Sequence, residues 1–391
     1  MRETIITSDR VLLPYGTVSE ATIRCEGGRI LEVESRRCSD ATIDAGEMLI
    51  LPAIIDLHND AFERQIHPRP AVAIELEIAL ADTDRQMAAN GIATAFHGLT
   101  VTWVPGPRDL TAGRAFIDAL ARVKPQLRCD TRLHLRHETL SIDTVEAAVK
   151  WVESGLVNLV AMNDHSRMVE RALARPQVPA SSLQYVGIPE AEYRQLAARM
   201  FARRGEIPDT LHRLAAVARE HRVTLASHDD ATPEERSFYR DMGCRICEFP
   251  GDRETAEAAI AAGDEVVLGG PNILRGGSHC GRVSASEMVG LGLCTAICTD
   301  FYFPSILYAP FRLAAAGVRP FAECWNLVSR GPARAAGLTD RGAIETGMRA
   351  DLLLVDDSDR LHPDVHALFV EGVPVYAGAR AGARVGSLVC A

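Results

Sequence analysis

The chain has few basic residues for its acidic content, and it lacks a long apolar run. Its 42 lysines and arginines against 52 aspartates and glutamates give a net charge of −10, which disfavours nonspecific binding to nucleic acid or to anionic membranes. No apolar stretch is long enough to span a bilayer, and the first ten residues carry charges where a secretory signal needs an apolar core. We therefore expect a cytoplasmic protein that binds neither nucleic acid nor membrane. A locally basic pocket for an anionic small molecule remains compatible with this composition.

The cysteines do not form a disulfide framework. Ten are scattered through apparent strands and helices, as expected for reduced, mostly buried thiols. Cys244-Arg-Ile-Cys247 has the spacing of half a zinc site or of a redox pair, but no second Cys-x-x-Cys accompanies it. The residues around it predict a strand, so we interpret both thiols as structural.

The two ends of the chain resemble each other in kind, and no internal repeat is present. Both are short β-rich runs separated by glycine turns, and the termini of a domain often lie close together. We therefore predict a small β-sandwich domain built from residues 1–50 and 342–391, with a main domain of residues 51–341 inserted between them. A length of 391 residues and an apolar content of 47% suit a large core, and a homodimer is the default expectation for an enzyme of this size.

In the main domain, apolar strand-like runs alternate with segments of helical periodicity, the pattern of parallel β-α units. Gly91 and Gly263 lie where two of these helices should end. The segment 166–209 is too long and polar for a simple connection, and we predict an excursion over the barrel mouth with its own helix. Eight strand ends predict an α/β fold, a closed (β/α)₈ TIM-like barrel. They are His58, His97, Glu138, Asp164-His165, His228, Glu248, Gly270 and Asp300.

A pair of potential metal ligands ends the first of these strands. His58 and Asp60 follow an apolar run and are two residues apart, so their side chains point to one face at its carboxyl end. In a barrel that end carries the chemistry. Other strand ends extend the pair to a predicted set of metal ligands: His58, Asp60, Glu138, His165, His228 and Asp300.

Imidazoles and carboxylates in such a set suit one or two divalent ions, zinc first and manganese as an alternative. A bound divalent ion activates water and polarises the bond under attack. Asp300 is predicted to be catalytic, binding the water or ion and moving a proton to the leaving group, and Glu138 is a possible bridge between two ions. Asp164 is an alternative ligand to His165, or a residue that orients it. We interpret His97 as a packing or capping residue.

A second set of residues offers positive charge and hydrogen-bond donors. Gly276 and Gly277 free the backbone to approach a ligand closely, and Arg275 suits phosphate or carboxylate oxygens. The plainer alternative is a glycine turn with a surface arginine. The residues predicted to bind an anionic substrate are Arg136, Asp229, Asp230, Asn272, Arg275, Ser278 and His279.

Several stretches also carry a resemblance to a known family. The β-rich chain ends, Leu51-Pro-Ala-Ile-Ile-Asp-Leu-His58 and the late strand that ends in Asp300 resemble the amidohydrolase superfamily. A narrower resemblance is carried by Ser227-His-Asp-Asp-Ala-Thr232 and Pro271-Asn-Ile-Leu-Arg-Gly-Gly-Ser-His279. More narrowly, the chain is similar to the diphosphatases of the carbon-phosphorus lyase pathway for phosphonate use. The usual His-x-His of the superfamily is His-x-Asp in this chain.

The resemblance implies a metal-dependent hydrolase barrel with a small β-sandwich. It further implies hydrolysis of a ribose 5-triphosphate that bears methylphosphonate at C1, with release of pyrophosphate. Two other functions stay open. One is an amidohydrolase-type deaminase or amidase acting on a small polar or heterocyclic substrate; the other is a binding module that kept the barrel and lost the chemistry.

Overall fold

The computed structural model describes residues 3–69, 72–183, 186–277 and 283–378. Its strands are β1 (Thr4–Leu12), β2 (Val18–Glu26), β3 (Arg29–Glu34), β4 (Ile43–Asp44), β5 (Leu49–Pro52), β6 (Ile54–Asn59), β7 (Ile92–Val101), β8 (Asp130–Glu138), β9 (Leu159–Asn163), β10 (Thr224–His228), β11 (Ile246–Glu248), β12 (Glu265–Gly269), β13 (Ala296–Cys298), β14 (Leu352–Asp356), β15 (Asp364–Val370) and β16 (Val373–Ala377).

Its α-helices are α1 (Glu63–Ile66), α2 (Leu76–Ala89), α3 (Leu110–Val123), α4 (Val145–Glu153), α5 (Ser166–Leu173), α6 (Glu190–Ala202), α7 (Ile207–Glu220), α8 (Pro233–Asp241), α9 (Arg253–Ala261), α10 (Gly270–Arg275), α11 (Ala285–Gly290), α12 (Pro304–Ala315), α13 (Phe321–Asn326) and α14 (Arg330–Ala335). No described helix combines the length and the apolar character that a membrane crossing requires.

Strands from both ends of the chain form one mostly antiparallel sheet. Its order is β16-β15-β14-β5-β1-β2-β3, and β4 pairs with β1. The join between the two ends is the antiparallel pair β5–β14, in which Ile50 lies opposite Leu354. Both side chains are buried in one apolar cluster with residues such as Ile6 and Phe369. The prediction that the two ends fold together is therefore confirmed, whereas the boundaries at residues 50 and 342 remain predictions.

The second sheet is a nearly closed parallel barrel of eight strands in the order β6-β7-β8-β9-β10-β11-β12-β13. A parallel bridge between Asn59 and Asp300 brings the end of β6 to the residues after β13. Helices alternate with the strands, so the predicted (β/α)₈ barrel is confirmed. The barrel strands are almost wholly buried, as expected when helices cover the outer face of a parallel sheet.

Glycines end helices where the sequence predicted. Gly91 follows α2 with a φ of +78°, and a Cβ atom there would lie 2.6 Å from Leu353 Cδ2. Gly263 follows α9 with a φ of +77°. A positive φ costs glycine little, so it permits the sharp exit from each helix into the next strand.

Contacts divide the chain into two compact units. Unit 1 comprises Met1–Ala95, Gln126–Thr131 and Val267–Ala391, and unit 2 comprises Phe96–Pro125 and Arg132–Val266. Unit 1 contains the terminal sheet with β6 and β13, whereas unit 2 contains β9, β10, β11 and most of β8. The two units are described separately below.

Two local predictions require correction. β7 runs on to Val101, so His97 lies inside the strand rather than at its end. The segment 166–209 contains two complete helices, α5 and α6, and not one. The residues after β12 form helix α10, because proline near its start favours the first helical turn, and Gly276, with a φ of +77°, ends the helix in a turn.

Candidate metal centre

Unit 1 brings together three of the predicted metal ligands. Ligand atoms of His58, Asp60 and Asp300 all lie within 4.8 Å of one another. His58 is 1% exposed, and the two aspartates are half-buried. The three residues come from the ends of β6 and β13, as the sequence predicted.

Backbone hydrogen bonds hold this group in place. Asp300 N donates to His58 O at 3.0 Å, and Asp60 N donates to Asp300 O at 3.1 Å. Asp300 itself adopts a φ of +53°, a left-handed conformation that is uncommon for residues other than glycine, although aspartate takes it more readily than most. Strained backbone of this kind clusters at functional sites, where the surrounding structure maintains it.

Asp56 lies two residues before His58 on β6 and supports the same group through hydrogen bonds to Thr299. Its Oδ1 accepts from Thr299 N at 3.0 Å, and its Oδ2 accepts from Thr299 Oγ1 at 2.7 Å. Burial raises the pKa of Asp56 to about 7, although the hydrogen bonds from Thr299 act in the opposite direction. Asp56 therefore links the strand of His58 to the residue before Asp300.

Unit 2 holds a second group, formed by His165, His228 and Asp229, whose ligand atoms also lie within 4.8 Å of one another. The carboxylate of Asp229 lies between the two imidazoles: Oδ2 is 3.6 Å from His165 Nε2, and Oδ1 is 3.7 Å from His228 Nε2. Asp229 has a φ of +66°, which turns its side chain back toward the strand end. The sequence predicted Asp229 as a substrate contact, and its position beside the two histidines also suits a metal ligand.

Glu138 lies next to this group. Its Oε1 is 2.8 Å from His165 Nδ1, and the carboxylates of Glu138 and Asp229 raise the pKa of His165 to about 10, with Glu138 contributing most. The side chain of His165 thus has a carboxylate at each ring nitrogen. A cation at Nε2 would replace the proton that these carboxylates favour.

Asp164 is hydrogen-bonded at the turn from β9 into α5. Its Oδ1 accepts from Thr139 Oγ1 at 3.1 Å and from Ser166 N at 2.9 Å. These bonds shape that turn. Both roles that the sequence left open for Asp164, an alternative ligand or a residue that orients His165, remain predictions.

Two residues that the sequence analysis did not assign surround His228. Glu248 Oε2 accepts from His228 Nδ1 at 3.1 Å and is 3.8 Å from His134 Nε2, and both Glu248 and His134 are 0% exposed. Carboxylates commonly fix the tautomer of a metal-binding histidine in this way. The sequence feature that could have indicated Glu248 is its position at the end of a barrel strand.

Arg136 approaches His228 from the other side. Its Nη2 is 3.2 Å from His228 Nε2, the ring nitrogen that a metal ion would take. The guanidinium is buried, with 6% of the residue exposed. A metal bound at this nitrogen would therefore require Arg136 to move away from His228.

The remaining predicted substrate contacts differ in burial and in hydrogen bonding. Asp230 is 1% exposed and bonds Ser227 Oγ at 2.6 Å and Arg236 Nη1 at 3.1 Å. Asn272 Oδ1 accepts from Ala285 N at 3.1 Å, and Arg275 is exposed at the last turn of α10. Ser278 and His279 lie outside the described residues.

Histidine and cysteine residues elsewhere in unit 2 are consistent with structural roles. His97 is 1% exposed and packs edge-on against Phe116, with ring centroids 6.2 Å apart. Cys244 and Cys247 are both 0% exposed. Burial raises the pKa of Cys244 to about 12 and that of Cys247 well above its ordinary value. Neither thiol is therefore prepared to act as a thiolate.

The donor sets of the two groups fit divalent ions. Two ligands that are each about 2.1 Å from one ion lie at most about 4.2 Å apart, so atoms within 4.8 Å need only small side-chain shifts to share an ion. Imidazole nitrogens with carboxylate oxygens suit zinc and manganese, and the absence of thiolates from both groups is compatible with either.

Comparisons with known proteins agree with the fold. The chain is 33% identical, over 95% of its length and 100% of the relative, to alpha-D-ribose 1-methylphosphonate 5-triphosphate diphosphatase from Escherichia coli K12. Among solved structures it resembles N-acetyl-D-glucosamine-6-phosphate deacetylase from Mycobacterium smegmatis, with a TM-score of 0.63 and 16% identity over 95% of this chain and 100% of that one. It also resembles a D-hydantoinase, with a TM-score of 0.61 and 12% identity over 96% and 95%. No protein-family model matches the chain.

The barrel with its terminal sheet has the fold of a class of solved hydrolases that includes the deacetylase and the D-hydantoinase. Within that class, the chain belongs to the family of alpha-D-ribose 1-methylphosphonate 5-triphosphate diphosphatase. The resemblance recognised in the sequence motifs is thereby confirmed.

Proposed function

We propose that this protein hydrolyses alpha-D-ribose 1-methylphosphonate 5-triphosphate, or a closely similar phosphorylated ribose, and releases pyrophosphate. The observation that carries the proposal is the similarity to the E. coli diphosphatase along the whole of both chains. In this reaction, water attacks the phosphorus nearest the ribose. The bond from that phosphorus to the oxygen of the β-phosphate breaks, so pyrophosphate leaves and the 5-phosphate stays on the sugar.

The proposed metal ligands are His58, Asp60, Glu138, His165, His228 and Asp300, and Asp229 joins them because of its place between two histidines. Zinc is the first choice and manganese the second, with one ion for each group. A bound divalent ion supplies Lewis-acid activation of water and of the phosphoryl group.

Asp300 is the proposed acceptor of the proton from the attacking water. It lies in contact range of the ligand atoms of His58 and Asp60, and its left-handed backbone holds it there. A carboxylate so placed can pass the proton on to the oxygen of the leaving group. Asp56 and Thr299 keep Asp300 in register with His58.

The proposed substrate contacts are led by Arg136, whose guanidinium is buried close to His228. Positive charge near phosphoryl oxygens stabilises the charge that builds on them, which for phosphoryl transfer is the larger part of catalysis. Arg275, Asn272, Asp229, Asp230, Ser278 and His279 remain proposed contacts. A cytoplasmic location and a homodimer also remain predictions.

The test is a substrate screen with the zinc-loaded and manganese-loaded protein. The ribose triphosphate, nucleoside triphosphates, phosphodiesters and purine or pyrimidine amines are offered in turn, and pyrophosphate, phosphate and ammonia are measured separately. Pyrophosphate from the ribose triphosphate supports the proposal. Ammonia without pyrophosphate would overturn it in favour of a deaminase.

The variant Arg136→Met is a second test of the substrate class. A polyanionic substrate should lose affinity when this charge is removed, so KM should rise by about tenfold or more. Arg204→Met, at an exposed position on unit 2, is the matched control. A neutral heterocyclic substrate would be bound equally by the wild type and both variants.

A further inference from the structure

Asn163 ends β9 in line with residues of the candidate metal centre. In the parallel pairing of unit 2, Asn163 lies opposite Glu138 on one neighbouring strand and opposite His228 on the other. Paired residues of parallel strands send their side chains to the same face of the sheet. The side chain of Asn163 therefore leaves the sheet between those of Glu138 and His228.

The side-chain amide of Asn163 is buried and makes no hydrogen bond to the described residues. The residue is 0% exposed, and neither Oδ1 nor Nδ2 has a hydrogen-bond partner among residues 3–69, 72–183, 186–277 and 283–378. A buried amide without partners is costly, and native proteins rarely retain one without a ligand or an ordered water to satisfy it. An apolar side chain would serve packing better at this position.

The side chains next to Asn163 indicate which kind of ligand its amide would bind. Glu138 Oε1 is engaged with His165 Nδ1, and His228 Nδ1 is engaged with Glu248. An amide can donate a hydrogen bond to an anion without adding charge, whereas a carboxylate at this place would repel one. The position therefore suits recognition of an anionic oxygen close to the metal ligands.

We propose that Asn163 is a substrate-contacting residue whose Nδ2 donates a hydrogen bond to a nonbridging oxygen of the phosphoryl group under attack. The proposal rests on the proposed function, because it takes the phosphoryl class of substrate from it. Such a bond strengthens as negative charge develops on that oxygen, so it should act mainly on kcat. Nothing in the sequence pattern singled out this residue, since it precedes the more conspicuous Asp164 and His165.

The experiment compares Asn163→Leu with Asn163→Asp in the zinc-loaded full chain. Leucine has a similar size and no polar group, whereas aspartate keeps an acceptor and loses the donor. Asn163→Leu should raise the thermal midpoint of the metal-free protein, bind zinc with an affinity within about threefold of wild type, and lower kcat by about 100-fold. Asn163→Asp should lose a similar or larger part of kcat.

His137, on the neighbouring strand β8, provides a matched control. His137 is 0% exposed, and its two ring nitrogens also have no hydrogen-bond partner in the described part of the chain. It precedes Glu138, so its side chain leaves the opposite face of β8. His137→Leu should keep kcat within about threefold of wild type.

Asn163→Leu or Asn163→Ala with nearly wild-type kcat would overturn the proposal, because the amide would then be satisfied by water alone. If the leucine variant does not fold, the alanine variant decides. Binding of vanadate, which mimics a phosphoryl group under attack, to the zinc-loaded proteins separates this proposal from the proposed function and is measured by calorimetry. Wild-type protein that releases ammonia yet binds vanadate at least about tenfold more tightly than Asn163→Leu would overturn the proposed function and retain Asn163 as a contact to a phosphoryl oxygen. Equal binding of vanadate by both proteins, or no binding by either, would overturn that contact.

Discussion

Thr299 Oγ1 donates a hydrogen bond to Asp56 Oδ2 at 2.7 Å, across 243 residues of sequence. Both residues are 0% exposed. The bond holds the strand of His58 beside the residue that precedes Asp300, so the spacing of the first ligand group depends on it.

Replacement of Thr299 by valine should weaken both stability and the metal site. The buried Asp56 oxygen loses its hydroxyl donor at nearly constant volume, which should lower the free energy of unfolding by about 1–3 kcal/mol. Urea denaturation of the metal-free protein measures this loss, and zinc titration should show weaker binding. Thr299→Ser, which keeps the hydroxyl, should behave much more like wild type. Unchanged urea midpoints and zinc affinity in the valine variant would contradict the assigned role.

Asp300→Asn should retain most bound metal and lose most turnover. The amide keeps one oxygen for an ion but cannot accept the proton of the attacking water, so kcat should fall by about 10²–10⁴-fold. Elemental analysis and pyrophosphate release are measured on the same preparation. Asp40→Asn, at an exposed position in the terminal segment, provides the control. Wild-type turnover in Asp300→Asn would refute the proton-accepting role.

Glu248→Gln should reduce metal affinity, even though Glu248 is not among the proposed ligands. Its carboxylate accepts from His228 Nδ1 at 3.1 Å and thereby fixes the tautomer in which Nε2 carries the lone pair. The neutral amide holds the ring less firmly, and loss of such an orienting carboxylate commonly costs about 10–100-fold in metal affinity. Calorimetric zinc titration provides the measurement, with the exposed Glu257→Gln as control. Equal affinities for both variants would argue against an orienting role.

Strand ends were the part of the site that the sequence predicted well. Apolar runs of strand length that stop at a histidine or a carboxylate mark the carboxyl ends of several barrel strands, as at His58, Glu138 and His228. The periodicity is local, and the barrel then follows from the alternation of strands and helices.

Residues whose roles depend on neighbouring strands were harder to predict. The burial of Asn163 and Glu248 depends on the register of β8 to β11, which no single segment specifies. The place of Asp229 depends on its φ of +66°, a strained conformation that local propensity disfavours. The two helices of the 166–209 segment bury their own small cluster around Val178 and Tyr193, and that tertiary packing is not visible as a repeat in the sequence.

His97 should make the protein less stable in mild acid. Burial lowers the pKa of His97 from its ordinary value of 6.5 to about 3, so the folded protein keeps this imidazole neutral while the unfolded chain takes up a proton below pH 6.5. The unfolded state binds more protons throughout the window from pH 6.5 down to about 3, and stability therefore falls as the pH falls through it. Between pH 6.5 and 5 this one residue should cost about 2 kcal/mol.

The measurement is urea denaturation of the metal-free protein at pH 7.5, 6.5, 5.7 and 5 for the wild type and His97→Gln. Glutamine cannot take up the proton, so its free energy of unfolding should fall less steeply with pH, whatever its absolute stability at pH 7.5. His212→Gln, at an exposed position on α7, is the control for the loss of a histidine. The same pH slope in wild type and His97→Gln would show that this imidazole is either protonated when folded or open to solvent, and its assignment as a neutral packing residue would then be wrong.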